Sequence, residues 1–220
     1  MKQSRPFPFM KLPVAIRAKI YNFILKHDDD VPITSRQNTR MAYSPAYRGR
    51  NNLSILATCK QIQAEAAPII YGQVLHFTGT EVIMNYLLQI RTKNRGYLRS
   101  LRSDTYTSAS ARAMFHLLED TPNIERISFA HVSSNEKPVT AIRNIFNDAS
   151  QWLLNLDKTN PTKGLEILGF DDTAFHLREK SKSGEVTVTQ WGPGEQLDFL
   201  KGLKMKLKQA AATAAKKAAG

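Results

Sequence analysis

The side chains best suited to nucleophilic or metal chemistry are one cysteine, Cys59, and five histidines, His27, His76, His116, His131 and His176. A cysteine nucleophile needs a neighbouring base and a lowered pKa. No Cys-His signature surrounds Cys59, which sits in the run "LSILATCKQIQAEAAPIIYG" and is expected to be a buried small hydrophobe. The histidines are scattered, without a His-x-x-x-His pair or an acid at ligand spacing on one helix, so no metal site is expected. Glu65 follows Gln61 by one helical turn, the spacing of a half-buried hydrogen-bonded pair, and no second acid is placed for a paired-carboxylate site. "GPG" at 192–194 reads as a turn, and neither Gly-x-x-x-x-Gly-Lys nor Gly-x-Gly-x-x-Gly occurs. The catalytic expectation is therefore none: no enzyme, and no cofactor.

The elements that position these residues follow from periodicity. In "FPFMKLPVAIRAKIYNFIL" a helix is expected after Pro13, with Ile16, Ile20 and Ile24 recurring every four residues and Arg17, Lys19 and Asn22 facing elsewhere. It should end near His27, before three aspartates that the helix macrodipole disfavours at a C-terminus. Residues 28–52 read as a long loop holding Arg36, Arg40, Arg48 and Arg50 without an acid between Val31 and Asn52. A second helix over 53–72 places Leu53, Leu56, Cys59, Ile62 and Ala66 on one face, is kinked or restarted at Pro68, and stops at Gly72.

Beyond it, strands are expected in "QVLHF", "YLRSLRSD", "IERISFAHV", "KGLEILGF" and "GEVTVTQW". Helices are expected in "EVIMNYLLQI", in "SARAMFHLLEDTPN" with Ser108 or Ser110 as N-cap, and in "VTAIRNIFNDASQWLLNL". This alternation predicts parallel β-α units. The chain carries a net charge of +12, and half of it comes from six lysines in residues 201–220, a Lys/Ala-rich tail expected to fray or stay disordered. Those lysines (Lys204, Lys206, Lys208, Lys216 and Lys217 chief among them) and the arginine cluster serve either as a solvated surface or, as the alternative function, as the weak, salt-sensitive polyanion site of a nucleic-acid or chromatin-associated protein. A single cysteine fits a reducing compartment, and no apolar run is long enough to span a bilayer or serve as a leader. The expected location is intracellular, cytoplasmic or nuclear, and away from membranes.

At "LPVAIRAKIYNFIL" followed by "ILATCKQIQAEAAPIIYGQVLHF" the sequence resembles a large group of fungal F-box-like proteins. Leu12, Pro13, Arg17, Ile20 and Tyr21 match the first block of that pattern, and Thr58, Cys59, Gln61, Ile62, Glu65, Ala66, Pro68, Tyr71 and Phe77 match the second. Ala15 stands where the group has glutamate, Lys60 stands where arginine is common, and the linker between the helices is longer than in an orthodox F-box. The phrases "LRSL", "IERISF" and "LEILGF" resemble leucine-rich-repeat strands without a strict period. The resemblance implies a non-enzymatic interaction module that joins the Skp adaptor of a cullin-type ubiquitin ligase to a client protein. It would bind the adaptor through Phe7, Phe9, Leu12, Pro13, Ile16 and Ile20.

The expected architecture is thus α+β or α/β. A first F-box-like helix with an apolar lead (1–27), the basic loop (28–52) and a second helix with the first strand (53–77) pack on a repeat-like α/β body (78–200), followed by the tail (201–220). Two uses of the Ile16–Ile20–Ile24 stripe stand side by side: docking in a partner's groove, or packing against Leu56, Cys59 and Ile62. Phe7, Phe9, Leu12 and Pro13 lie off that stripe and are free for docking in either case.

Overall fold

Apolar residues two apart on successive strands assemble one ladder. In the computed structural model, which describes residues 7–36, 39–47, 51–132, 137–157, 159–180 and 186–219, Val31, Leu75, Leu101, Ile127 and Leu168 lie side by side. The next inward row is Ile33, Phe77, Ser103, Phe129 and Phe170. These rows belong to β1 (Val31–Ser35), β3 (Val74–Phe77), β4 (Ser100–Tyr106), β5 (Arg126–Val132) and β6 (Leu168–Phe170), all mutually parallel. A short antiparallel β2 (Ala42–Tyr43) completes a sheet of order β2-β1-β3-β4-β5-β6. Val74, Ser100 and Arg126 are register partners, so the chain advances 26 residues at each of these two steps.

The crossovers place α3 (Thr80–Gln89), α5 (Ser108–Leu117) and α6 (Pro138–Leu156) side by side on the face of the ladder. Their buried residues (Val82, Ile83 and Leu87; Ala111, Met114 and Phe115; Ile145, Ala149 and Trp152) form one core with it. The short helices α4 (Thr92–Arg95) and α7 (Gly164–Ile167) serve as connectors. α8 (Pro193–Ala219) packs on α6 through Phe199, Leu203 and Leu207, spaced by four, where a Cβ at Gly202 would collide with Ile142. A hairpin of β7 (His176–Lys180) and β8 (Val186–Gln190) is closed at its base by Phe175 stacked on Trp191 at 4.2 Å.

Several expectations are corrected. The stretch 28–52 contains β1, a member of the main sheet, because Val31 and Ile33 alternate inward around Pro32. The run at 53–72 is not one helix: a 3₁₀ turn over Asn51–Ala57 ends before α2 (Lys60–Tyr71), which runs unbroken through Pro68. "KGLEILGF" begins as helix α7, and only its end is strand. The N-cap of α5 is Thr107, not Ser108 or Ser110. The described part of the tail is helical to Ala219. Alanine's propensity continues the helix past the point where burial stops at Leu207.

Since Leu203 is fully buried, Leu203→Ala should lower unfolding free energy by about 2–5 kcal/mol in urea melts. Ending the chain after Leu207 should leave the melt nearly unchanged, whereas ending it after Leu200 should abolish the cooperative transition.

Candidate functional site

The N-terminal head pairs α1 (Val14–Leu25) with α2, and one carboxylate holds them together. Arg17 Nε and Nη2 donate to the two oxygens of Glu65 at 2.9 and 2.6 Å. The Tyr21 hydroxyl donates to Glu65 at 2.9 Å, and Gln61, one turn earlier on α2, donates at 3.0 Å. Arg17 Nη1 donates to the Leu12 carbonyl at 2.6 Å, fixing the Leu-Pro step against the helix it precedes. Arg17 is only 4 % exposed although charged, which requires this saturation of its donors. The bonds from Arg17, then those from Gln61 and Tyr21, draw the Glu65 carboxyl down to about 2. The bond to Glu65 in turn raises Arg17.

The face of α1 turned inward is therefore Arg17, Tyr21 and Leu25, one residue round from the isoleucine stripe. Ile16 is exposed, Ile20 is half-buried, and Ile24 packs on a satellite core of Tyr21, Leu25, Ile62, Ala66 and Ile70. Of the two uses open to the stripe, Ile24 takes the packing one and Ile16 stays exposed, while Arg17, expected to face away from the stripe, is drawn inward by the internal carboxylate. Cys59 is corrected as well: it is exposed and caps α2, its Sγ accepting from the Ile62 amide at 3.5 Å. Phe9 is half-buried, 5.8 Å from the Tyr21 ring, and Leu12 is half-buried. Phe7 and Pro13 are exposed. Met10, Val14 and Phe23, none of them among the expected docking residues, join Phe7 and Ile16 as exposed apolar residues, Phe23 at 90 %. An apolar residue on the helix face turned away from a buried arginine is the signal for Phe23, whereas Val14 shares the arginine's side and is exposed as the first residue of the helix. That signal becomes readable only once Arg17 and Glu65 are paired.

The second surface is the sheet face opposite the ladder. Pro32, His76, Arg102, Ser128 and Gly169 cross it in register. His76 Nε2 is 2.6 Å from Asp104, and Arg102 stands 3.7 Å from both Asp30 and Asp171. A flat sheet would hold β1 and β6 about 19 Å apart at a strand spacing of ~4.8 Å. Carboxylates from both ends reaching one guanidinium mean that this face is drawn in around Arg102. Parallel sheets are ordinarily covered on both faces, yet Arg102 and Pro32 remain exposed and His76 half-exposed.

Among the basic residues, Arg36 and Arg40 are exposed, while Arg48 and Arg50 lie outside the described residues. Lys204, Lys208, Lys216 and Lys217 are exposed along α8, and Lys206 lies over the Phe146 ring at 5.5 Å. Between α5 and α6, Tyr106 and Ser108 donate to the buried Asp148, which ties α6 to the end of β4. Among the described residues no three His, Cys, Asp or Glu side chains gather to hold a metal ion, and no helix is long and apolar enough to cross a membrane. No protein-family model, curated protein or solved structure matches the chain.

The folded Glu65 carboxyl titrates near 2 against an ordinary 4.5, so its contribution is complete above about pH 4.5 and is lost as pH falls towards 2. Acid titration followed by the Tyr21 ring resonances in NMR should show the wild-type head opening in that window. Glu65→Leu alone, which strands the Arg17 charge, should destabilise the head more at pH 7 than Arg17→Met and Glu65→Leu together.

Proposed function

We propose that the chain is a non-enzymatic interaction module of the F-box-like kind. In this reading the head docks the Skp adaptor of a cullin-type ubiquitin ligase, and the drawn-in sheet face receives a client. The observation that carries it is the division of labour on α1. Arg17 and Tyr21, both part of the resemblance, are occupied in holding α1 to α2. Phe7, Met10, Val14, Ile16 and Phe23 are left uncovered. An apolar strip on a locked helix is what a hydrophobic groove accepts. The docking set therefore shifts from Phe9, Leu12 and Ile20, which are partly engaged with the head, towards Phe7, Pro13, Ile16, Val14 and Phe23.

The 26-residue strand step supports a leucine-rich-repeat-like body, since such repeats advance by about 20–29 residues and stack parallel strands in sequence order. The intervals from β1 to β3 and from β5 to β6 are longer, so the likeness rests on the central three strands. A one-sided sheet of that kind presents its open face to a partner. The intracellular setting belongs to the same proposal.

A second reading, polyanion binding, is favoured by one observation. The exposed lysines of α8 are free of ion pairs among the described residues, and the helix continues past its last buried residue, Leu207. Acids elsewhere are engaged by Arg17, Arg95 and Arg102 rather than by these lysines.

For docking, Ile16→Asp and Phe23→Asp should each weaken capture by immobilised Skp adaptor at least about tenfold, the equivalent of 1.4 kcal/mol, with unchanged circular dichroism. Absence of wild-type capture, or capture unaffected by both substitutions, defeats the reading. For polyanions, removing residues 208–220 deletes Lys208, Lys216 and Lys217 without touching Leu203 or Leu207. The slope of log K for duplex DNA against log salt should then fall by up to about 2.7.

A further inference from the structure

The hairpin of β7 and β8 stands apart from the six-stranded sheet, and among the described residues its two strands pair only with each other. Two strands alone are marginal in water, and a third or fourth is what stabilises them. Phe175 and Trp191, both buried, hold the base. Beyond that clamp no residue of β8 is buried: Val186, Thr187, Val188, Thr189 and Gln190 are all exposed, Val188 at 60 %.

One bond decides which backbone groups of β8 are open. The Trp191 amide donates to the Phe175 carbonyl at 3.2 Å, so these two residues form a hydrogen-bonded pair at the start of the ladder. Such pairs alternate with unbonded ones along antiparallel strands. Thr187 and Thr189 therefore turn their amides and carbonyls towards β7, and Val186, Val188 and Gln190 turn theirs away. Edge strands are ordinarily guarded by charge, proline, a bulge or brevity. The edges of the main sheet, β2 and β6, are only two and three residues long. β8 runs for five residues in unbroken register, with neither a charge nor a proline.

We propose that β8 pairs antiparallel with β8 of a second copy, about a twofold axis at Val188. The strand is its own complement in that register. Val188 faces its counterpart and Val186 faces Gln190, and these pairs exchange the outward backbone bonds. Thr187 faces Thr189 between them. Valine and threonine pairs across strands are favourable, and no like charges meet at the axis because β8 is uncharged. This self-matching favours a second copy over a strand of another protein. A twofold contact of this kind closes at two copies. A single five-residue edge buries less than the ~1,000 Å² of a permanent interface, so the dimer is a weak one. Each copy carries a net charge of +12 that the contact does not neutralise, so salt tightens the dimer.

Sedimentation velocity on the full chain tests this. Wild type should show a monomer–dimer equilibrium with a Kd on the order of 0.1 mM, tighter at high salt than at low. Val188→Lys and Val188→Glu set like charges face to face and should each weaken association at least about tenfold, while an equimolar mixture of the two should restore it. Val188→Pro removes an amide that β7 does not use, so it should abolish the dimer with an unchanged near-ultraviolet circular dichroism spectrum. Phe23→Asp, on the separate apolar strip of α1, should associate as the wild type does. A wild type still monomeric at about 1 mM overturns the proposal and leaves the edge to a strand of another chain. A mixture no tighter than either charged variant alone, mass growing beyond two copies, or association lost in Phe23→Asp overturns it as well.

Discussion

The Glu65 carboxylate is the point on which the N-terminal head turns. It accepts from two residues of α1 and one of its own helix, and Arg17 carries the connection onward to the Leu12 carbonyl. Burying a guanidinium is favourable only when its donors are met with good geometry. Here two face a carboxylate in parallel and a third faces a carbonyl. That requirement fixes the rotation of α1 about its axis, and rotation decides which apolar residues are covered. With Arg17, Tyr21 and Leu25 turned in, Ile16 and Phe23 must turn out, while Val14, one turn before Arg17 on the same side, is exposed as the first residue of the helix. Phe9 then closes over Tyr21 as the chain enters the helix.

The head is coupled to the body by a similar economy of polar groups. Gln73, between α2 and β3, accepts from the His27 amide at 2.6 Å and donates to the Leu25 carbonyl at 3.2 Å. Tyr47 donates to that same carbonyl. The end of α1 is thereby tied to the segment that enters the sheet. From β3 onward the register repeats by 26 residues, and each crossover helix buries its apolar side on the ladder. The sheet face left over is polar because Arg102, flanked by Asp30 and Asp171, occupies its centre.

How much of this was legible in the sequence depended on whether one face of an element was uniformly apolar. α3, α5 and α6, with β3, β4 and β5, were readable because their inward positions are almost all hydrophobic. β1 was hidden by Pro32 and its polar flanks, although Val31 and Ile33 alone carry it into the ladder. The inward face of α1 stayed open because periodicity counts arginine as an outward residue, and only a partner 48 positions away makes it an inward one. Cys59 was misplaced for a related reason. Its spacing suits a helix face, but the break after the 3₁₀ turn makes it a cap.

α8 shows why a basic composition alone makes a weak argument for a ligand. Its packing ends at Leu207, and the twelve residues to Ala219 project about 18 Å at 1.5 Å per residue. Alanines supply the propensity that keeps such a segment helical without a core. Lys216 and Lys217 fall in its last turn, where positive charge opposes the negative end of the helix dipole. Lys206 lies over the Phe146 ring on α6. Three of the six lysines thus have an intramolecular role before any partner is considered. The others, Lys201 and Lys204 on the packed part of the helix and Lys208 just past it, recur beside the exposed Leu197, Leu200 and Met205. A cationic stripe interleaved with apolar side chains differs from a uniformly charged tail, because its attraction to a polyanion fades with salt while its apolar share does not. The residual affinity at high salt therefore separates a surface shaped by α8 from one that merely carries its charge.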